Sequence, residues 1–140
     1  MERTLTIIKP DSMEASNAGN ILALLEKAGF EIQALKRMRL SEAQAQRFYE
    51  VHRERPFYDS LVAYMTSGPV IAAALAREDA VPQLRKVMGA TDPANADEGT
   101  IRALYGSSIE RNAIHGSDSP ENAQKELHFF FSRAELIAAE

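Results

Sequence analysis

Val70-Ile71-Ala72-Ala73-Ala74-Leu75 is a continuous apolar run with no polar residue inside it. A strand with one wet face alternates, so an unbroken run reads as a strand buried on both faces. Thr66-Ser67-Gly68-Pro69 breaks the chain just before it. Such a strand needs neighbours in a sheet and covering layers above and below. The neighbours are legible. Thr4-Leu5-Thr6-Ile7-Ile8 is β-branched and alternating, and Phe30-Glu31-Ile32-Gln33-Ala34-Leu35 alternates strictly.

The covering layers are legible as helical periods. Ile21, Leu22, Leu24 and Leu25 give one apolar face to a helix over residues 13–28, which Gly29 ends. Ser41 caps a second helix that carries Phe48, Tyr49 and Val51. Residues 57–65 form a third, with Phe57 and Leu61 four apart on one face. Residues 79–88 form a fourth, with Leu84, Val87 and Met88 inward and Arg85 close by. The stretch 89–111 has weak periodicity and reads as a long loop. A loop that long in a compact domain is usually functional or disordered. Ser119-Pro120 starts a short helix to Leu127, and His128-Phe129-Phe130-Phe131 reads as a last strand or an apolar closure. Residues 132–140 read as a loose or helical end.

This order predicts one α+β domain over residues 1–140, with helices on a small, mostly antiparallel sheet. A pair of split βαβ units is the nearest regular solution. The chain has 140 residues, 45% of them hydrophobic, which suffices for a core and argues against disorder. The net charge of −4 argues against broad attraction to nucleic acid. With no cysteine, disulfides, cysteine zinc sites and thiol chemistry are excluded. Met1-Glu2-Arg3 runs straight into the first strand pattern and no apolar run approaches a membrane span, so a cytoplasmic protein is expected.

One short segment carries the chemistry: Arg111-Asn112-Ala113-Ile114-His115-Gly116-Ser117-Asp118-Ser119-Pro120. His115 is expected between a strand end near Ile114 and the helix that Ser119 caps, with Gly116 allowing a sharp turn or close approach to a ligand. An imidazole so placed can act as nucleophile or base, although a turn with a surface histidine has the same pattern. His52, His115 and His128 are too far apart in sequence to suggest a metal cluster. GxxxxGK[ST], GxGxxG and GxSxG motifs are absent. Lys9, Arg85, Thr91 and Arg102 are residue types suited to phosphate, and they lie on separate elements. Phosphoryl transfer asks mainly for such positioning and charge neutralisation. Glu126 is a nearby acceptor for the second nitrogen of His115.

With these residues in view, the chain resembles the nucleoside diphosphate kinase family. The segment Arg111–Ser119 is similar to that family's active-site signature. Ile7–Asp11, Arg55–Tyr58, Thr66–Val70, Met88–Pro93 and Gly99–Arg102 resemble further family blocks in the family's order. The resemblance implies a ferredoxin-like βαββαβ sandwich with a four-stranded antiparallel sheet. It implies transfer of a terminal phosphate between nucleoside tri- and diphosphates, by a ping-pong route through a phosphohistidine at His115. The nucleotides would bring Mg²⁺ on their phosphates, with no protein metal ligand expected. Carried over by position, Lys9 meets phosphate and sugar, Phe57 stacks on the base with Leu61 beside it, and Tyr49 lies near the transferred phosphate. Arg85, Thr91 and Arg102 hold the β- and terminal phosphates, Asn112 holds the ribose, and Ser117 and Glu126 support His115. Nδ1 is the implied attacking atom, and a homo-oligomer, tetramer or dimer, is implied. Leu104 stands where the family usually has an acidic residue.

Two other classes fit a small sandwich of this kind. An RNA-binding module would want aromatics on its central strands, where this chain has Leu5, Ile7, Ile32 and Val70. A nucleotide sensor without catalysis would have no need of His115 together with Glu126.

Overall fold

The computed structural model describes residues 1–137. Its four strands are β1 (Glu2–Ile8), β2 (Glu31–Met38), β3 (Val70–Arg77) and β4 (Ile114–Gly116), joined in one sheet of order β2-β3-β1-β4. Every pairing is antiparallel. The unbroken apolar run lies in β3, between β1 and β2, and is buried from Val70 to Ala76. Its alanines leave room for larger side chains from the covering layers.

The helices are α1 (Pro10–Glu14), α2 (Ala18–Lys27), α3 (Glu42–Phe48), α4 (Tyr58–Met65), α5 (Ala80–Met88), α6 (Ile101–Tyr105), α7 (Pro120–Phe130) and α8 (Arg133–Ile137). They divide the core in two across the sheet. On one face Leu5, Ile7, Ala72 and Ala74 pack with Val62, Met65, Leu127, Phe130 and Leu136. On the other, Ile8, Ile71, Ala73 and Leu75 pack with Ile21, Leu25, Leu84, Met88 and Ile101. The alternation of β3 feeds both cores, Ala72 and Ala74 on one face and Ile71, Ala73 and Leu75 on the other, which is why this central strand shows no polar face.

The caps match the sequence signals. Ser41 and Gln44 form a reciprocal capping box at α3, and Ser119 Oγ accepts from the Asn122 amide at the start of α7. Gly29 takes φ +93°, and the Gly29 and Phe30 amides donate to the Glu26 and Leu25 carbonyls, closing a Schellman turn after α2.

Several boundaries differ from the sequence reading. The helix expected over 13–28 is two helices, broken where Ser16 takes φ +60°. Pro10 starts the first at once after β1, and the polar Ser16-Asn17 pair suits a turn. The α-helical part of the second expected helix stops at Phe48, and Glu50–His52 continue as a 3₁₀ turn. The long loop contains a 3₁₀ turn at Pro93–Asn95 and helix α6, whose Thr100 cap accepts from the Ala103 amide. His128–Phe131 is not a strand; α7 runs on to Phe130. The tail is helical over Arg133–Ile137, and residues 138–140 lie outside the described residues.

Candidate active site

His115 sits in the middle of β4, opposite Ile7 of β1, and not beyond the strand end. Thr6 Oγ1 donates to the His115 carbonyl at 2.7 Å and adds a side-chain tie to the short ladder. Gly116 presses against α5: a Cβ there would lie 2.5 Å from Met88 Sδ and 2.9 Å from Leu84 Cδ2. The glycine therefore serves close packing of β4 on α5, and not the ligand approach or turn that the sequence suggested.

The imidazole is one-fifth exposed. Its Nε2 lies 2.8 Å from Glu126 Oε1, on α7. Ser117 Oγ donates to the same oxygen at 2.8 Å, and Ser117 is fully buried. With Nε2–H donating to the carboxylate, the lone pair of a neutral ring is on Nδ1. The edge of Phe48 faces the ring at 5.6 Å between centroids. Neighbouring Tyr49 is buried, and burial followed by the charge of Glu126 pushes its phenol upward. It stays a protonated donor, with its hydroxyl unpaired among the described residues.

Two arginines flank His115 through the backbone of β4. Arg102 Nη2 donates to the Ile114 carbonyl at 2.9 Å and its Nη1 to the Gly89 carbonyl at 3.2 Å. Arg85 Nη1 donates to the Gly116 carbonyl at 3.4 Å. Arg102 is buried, with Nε unpaired among the described residues. Burial, then the charge of Arg85, lowers its guanidinium to about 10. Lys9 caps α1 directly after β1, and its Nζ donates to Asn112 Oδ1 at 2.8 Å. Asn112 Nδ2 in turn donates to the Thr91 carbonyl at 3.0 Å. Burial, then Arg102, brings the Lys9 ammonium down to about 8, against the opposing pull of Asp11 and Glu110. Buried cations of this kind favour an incoming anion.

Phe57 and Leu61 lie apart from this cluster, one helical turn from each other at the start of α4. Phe57 is 46% exposed and meets the His52 ring at 5.4 Å between centroids. Leu61 is half-buried against the core. The structure thus joins Lys9, Asn112 and Thr91 in one chain of contacts, and His115, Ser117 and Glu126 in another. Arg85 and Arg102 bracket the second. Sequence reasoning missed Asp11, whose Oδ2 accepts from the Ala113 amide at 3.0 Å, and Tyr64, which bonds to Asp11. Asp11 stands inside a recognised block, so a signal was there, whereas a tyrosine in an apolar helical period reads as core. Phe48 was missed for the same reason.

A histidine held by a carboxylate and bracketed by cations, on a ferredoxin-like sheet, suits a small phosphotransferase. A family profile described as nucleoside diphosphate kinase matches residues 2–136. The chain belongs to the nucleoside diphosphate kinase family. It is 53% identical over 137 residues to the nucleoside diphosphate kinase of Geobacter sp. strain M21, covering 98% of this chain and 100% of that one. It is 55% identical over 136 residues to the enzyme of Desulfovibrio desulfuricans, covering 97% and 98%. A crystal form of the Aquifex aeolicus enzyme superposes with a TM-score of 0.94 at 50% identity, covering 96% of this chain and 97% of the other. A halophilic relative from Halobacterium salinarum, solved with CDP, superposes at 0.92 and 40% identity, covering 96% and 90%. The protein is accordingly a phosphotransferase. It moves the terminal phosphate of a nucleoside triphosphate to a nucleoside diphosphate through a phosphohistidine. The family needs a divalent cation for activity. No helix among the described residues is long and apolar enough to cross a membrane.

Proposed function

We propose that the transfer uses the residues of this site in the following roles, within one catalytic domain over 1–140. Nδ1 of His115 attacks the terminal phosphorus of the triphosphate. The N–P bond forms as the bond to the bridging oxygen breaks, and the nucleoside diphosphate leaves with that oxygen. A terminal oxygen of a second diphosphate then attacks the same phosphorus and returns the ring to neutral. Positive charge grows on the imidazole during attack, and Glu126, 2.8 Å from Nε2, stabilises it. Ser117 aims the carboxylate. Tyr49 donates to the phosphoryl group in transit. Arg85, Arg102 and Thr91 hold the β- and terminal phosphates. Lys9 and Asn112 bind the phosphate and ribose hydroxyl, and Phe57 with Leu61 supports the base. A relative solved with CDP supports a nucleotide as the occupant.

The divalent ion is Mg²⁺, carried on the nucleotide. Lys9, Arg85 and Arg102 repel a bare cation and attract phosphate oxygens, so the lining fits an ion held by the nucleotide itself. When bound, Mg²⁺ neutralises charge across the phosphates. The protein works in the cytoplasm as a homo-oligomer, a dimer or tetramer, on nucleoside di- and triphosphates, with no specific nucleic acid partner.

The observation that carries these roles is the His115–Glu126 pair, bracketed by two arginines anchored on the carbonyls either side of His115. Brief incubation with γ-labelled ATP and Mg²⁺ should leave an acid-labile, base-stable label on the protein. His115→Ala should remove the label and the activity with the fold unchanged. Transfer by His115→Ala at near the parent rate would overturn the assignment.

A further inference from the structure

Ala113 takes φ +76°, on the side of conformational space that an alanine rarely occupies. Across it the Ile114 amide donates to the Asn112 carbonyl at 2.9 Å, which closes a γ-turn of the strained kind. This turn joins Asn112, which holds Lys9, to the strand that carries His115. Two contacts pin it. The Lys9 amide donates to the Ala113 carbonyl at 2.9 Å, and the Ala113 amide donates to Asp11 Oδ2 at 3.0 Å. Asp11 is itself clamped from α4: Tyr64 Oη donates to Asp11 Oδ1 in a short bond and accepts from the Asp11 amide at 3.0 Å. Tyr64 is 5% exposed, and the Arg111 guanidinium lies over its ring, 5.1 Å from the centroid. Strain of this sort persists only where the surroundings over-determine it, and here three elements converge on one peptide.

We propose that Asp11 and Tyr64 are positioning residues for the transfer. They hold the Ala113 turn in its strained form, so that Asn112 stays on Lys9 and His115 keeps its register in β4. Neither touches the reacting atoms. The inference rests on the roles given above to His115, Lys9 and Asn112. Released from Asp11, Ala113 relaxes toward an ordinary φ. The peptide on each side rotates, and both the nucleotide contact and the nucleophile lose aim.

The test compares the parent with Tyr64→Phe, Asp11→Asn, Asp11→Ala and Asp11→Ala combined with Ala113→Gly. All are assayed at a temperature where circular dichroism shows them folded. Misplacement by about an ångström costs on the order of a hundredfold, so Asp11→Ala should lose roughly tenfold to a hundredfold in kcat. Asp11→Asn keeps an oxygen for the Ala113 amide and should recover most of that loss. Glycine adopts positive φ without steric cost. The double variant should therefore regain kcat over Asp11→Ala while melting no higher. That recovery separates aim from stability. Asp11→Ala within twofold of the parent, or no recovery on adding Ala113→Gly, would overturn the proposal. If Asp11→Ala does not fold, Tyr64→Phe, which deletes one oxygen, decides: a loss of severalfold supports the relay and parent activity refutes it. Label on His115 in the parent is scored separately. Its absence defeats the roles assigned to the site, whereas its presence with unaffected variants defeats only the positioning role.

Discussion

Lys9 carries its charge at a cost until an anion arrives. Burial and Arg102 bring its ammonium to about 8 in the folded chain, against an ordinary value of 10.5. Between those two values the unfolded chain keeps a proton that the folded chain has released. Folding then becomes more favourable as pH rises through this window, by at most about 3 kcal/mol. Chemical denaturation of the parent from pH 7.5 to 10 should show this rise, and Lys9→Met should lack it. On the role proposed for Lys9, a bound nucleoside diphosphate would place negative charge beside Nζ and restore the higher value, so saturating ADP should flatten the parent's profile. Equal pH dependence in the parent and Lys9→Met would show that Lys9 is not the titrating group.

At the scale of elements, the sequence is legible where local chemistry and burial agree. The unbroken run of β3, the Gly29 stop and the Ser41 and Ser119 starts all follow from patterns that a short window contains. Helix α6 does not. It is five residues long and buries Arg102 for the sake of the site, so no apolar stripe announces it. The three phenylalanines after His128 look like a strand, because a short apolar run has no period to tell helix from strand. β4 is three residues long, too short for alternation, which is why His115 was expected beyond its end. Of the site, His115 is legible because it stands within a recognised motif, and Glu126 because the helix that Ser119 caps returns a carboxylate toward the ring. The relay through Asp11 and Tyr64 is not, since it depends on a contact between residues 53 apart in the chain.

For the whole molecule, the sheet ends on one side at β2, an eight-residue strand whose outer edge pairs with no strand among the described residues. Leu35 on that strand is 44% exposed, and Leu104 in α6 is 53% exposed. Proteins rarely leave long edges and large aliphatic side chains both uncovered. A second copy of the chain is the expected cover, and light scattering at micromolar concentration should report a dimer or tetramer. A monomer across that range would contradict the assembly.

The gradient of exposure along the site, from Phe57 at 46% to Lys9 at 8% and Arg102 at 6%, has a thermodynamic consequence. With the roles proposed above, buried charge grips the phosphate end and an apolar rim supports the base. Rejecting a base requires buried polar groups aimed at its edge, and stacking alone separates bases by about 1–2 kcal/mol. The values of kcat/KM for ADP, GDP, CDP, UDP and dTDP should then fall within about thirtyfold of one another. A thousandfold preference would reveal a polar reader of the base. Donor and acceptor break and make the same phosphoanhydride, so each exchange has an equilibrium constant close to one. A catalyst indifferent to the base therefore ties the phosphorylation ratios of all the nucleosides together. Whichever pool is replenished sets the level of the rest.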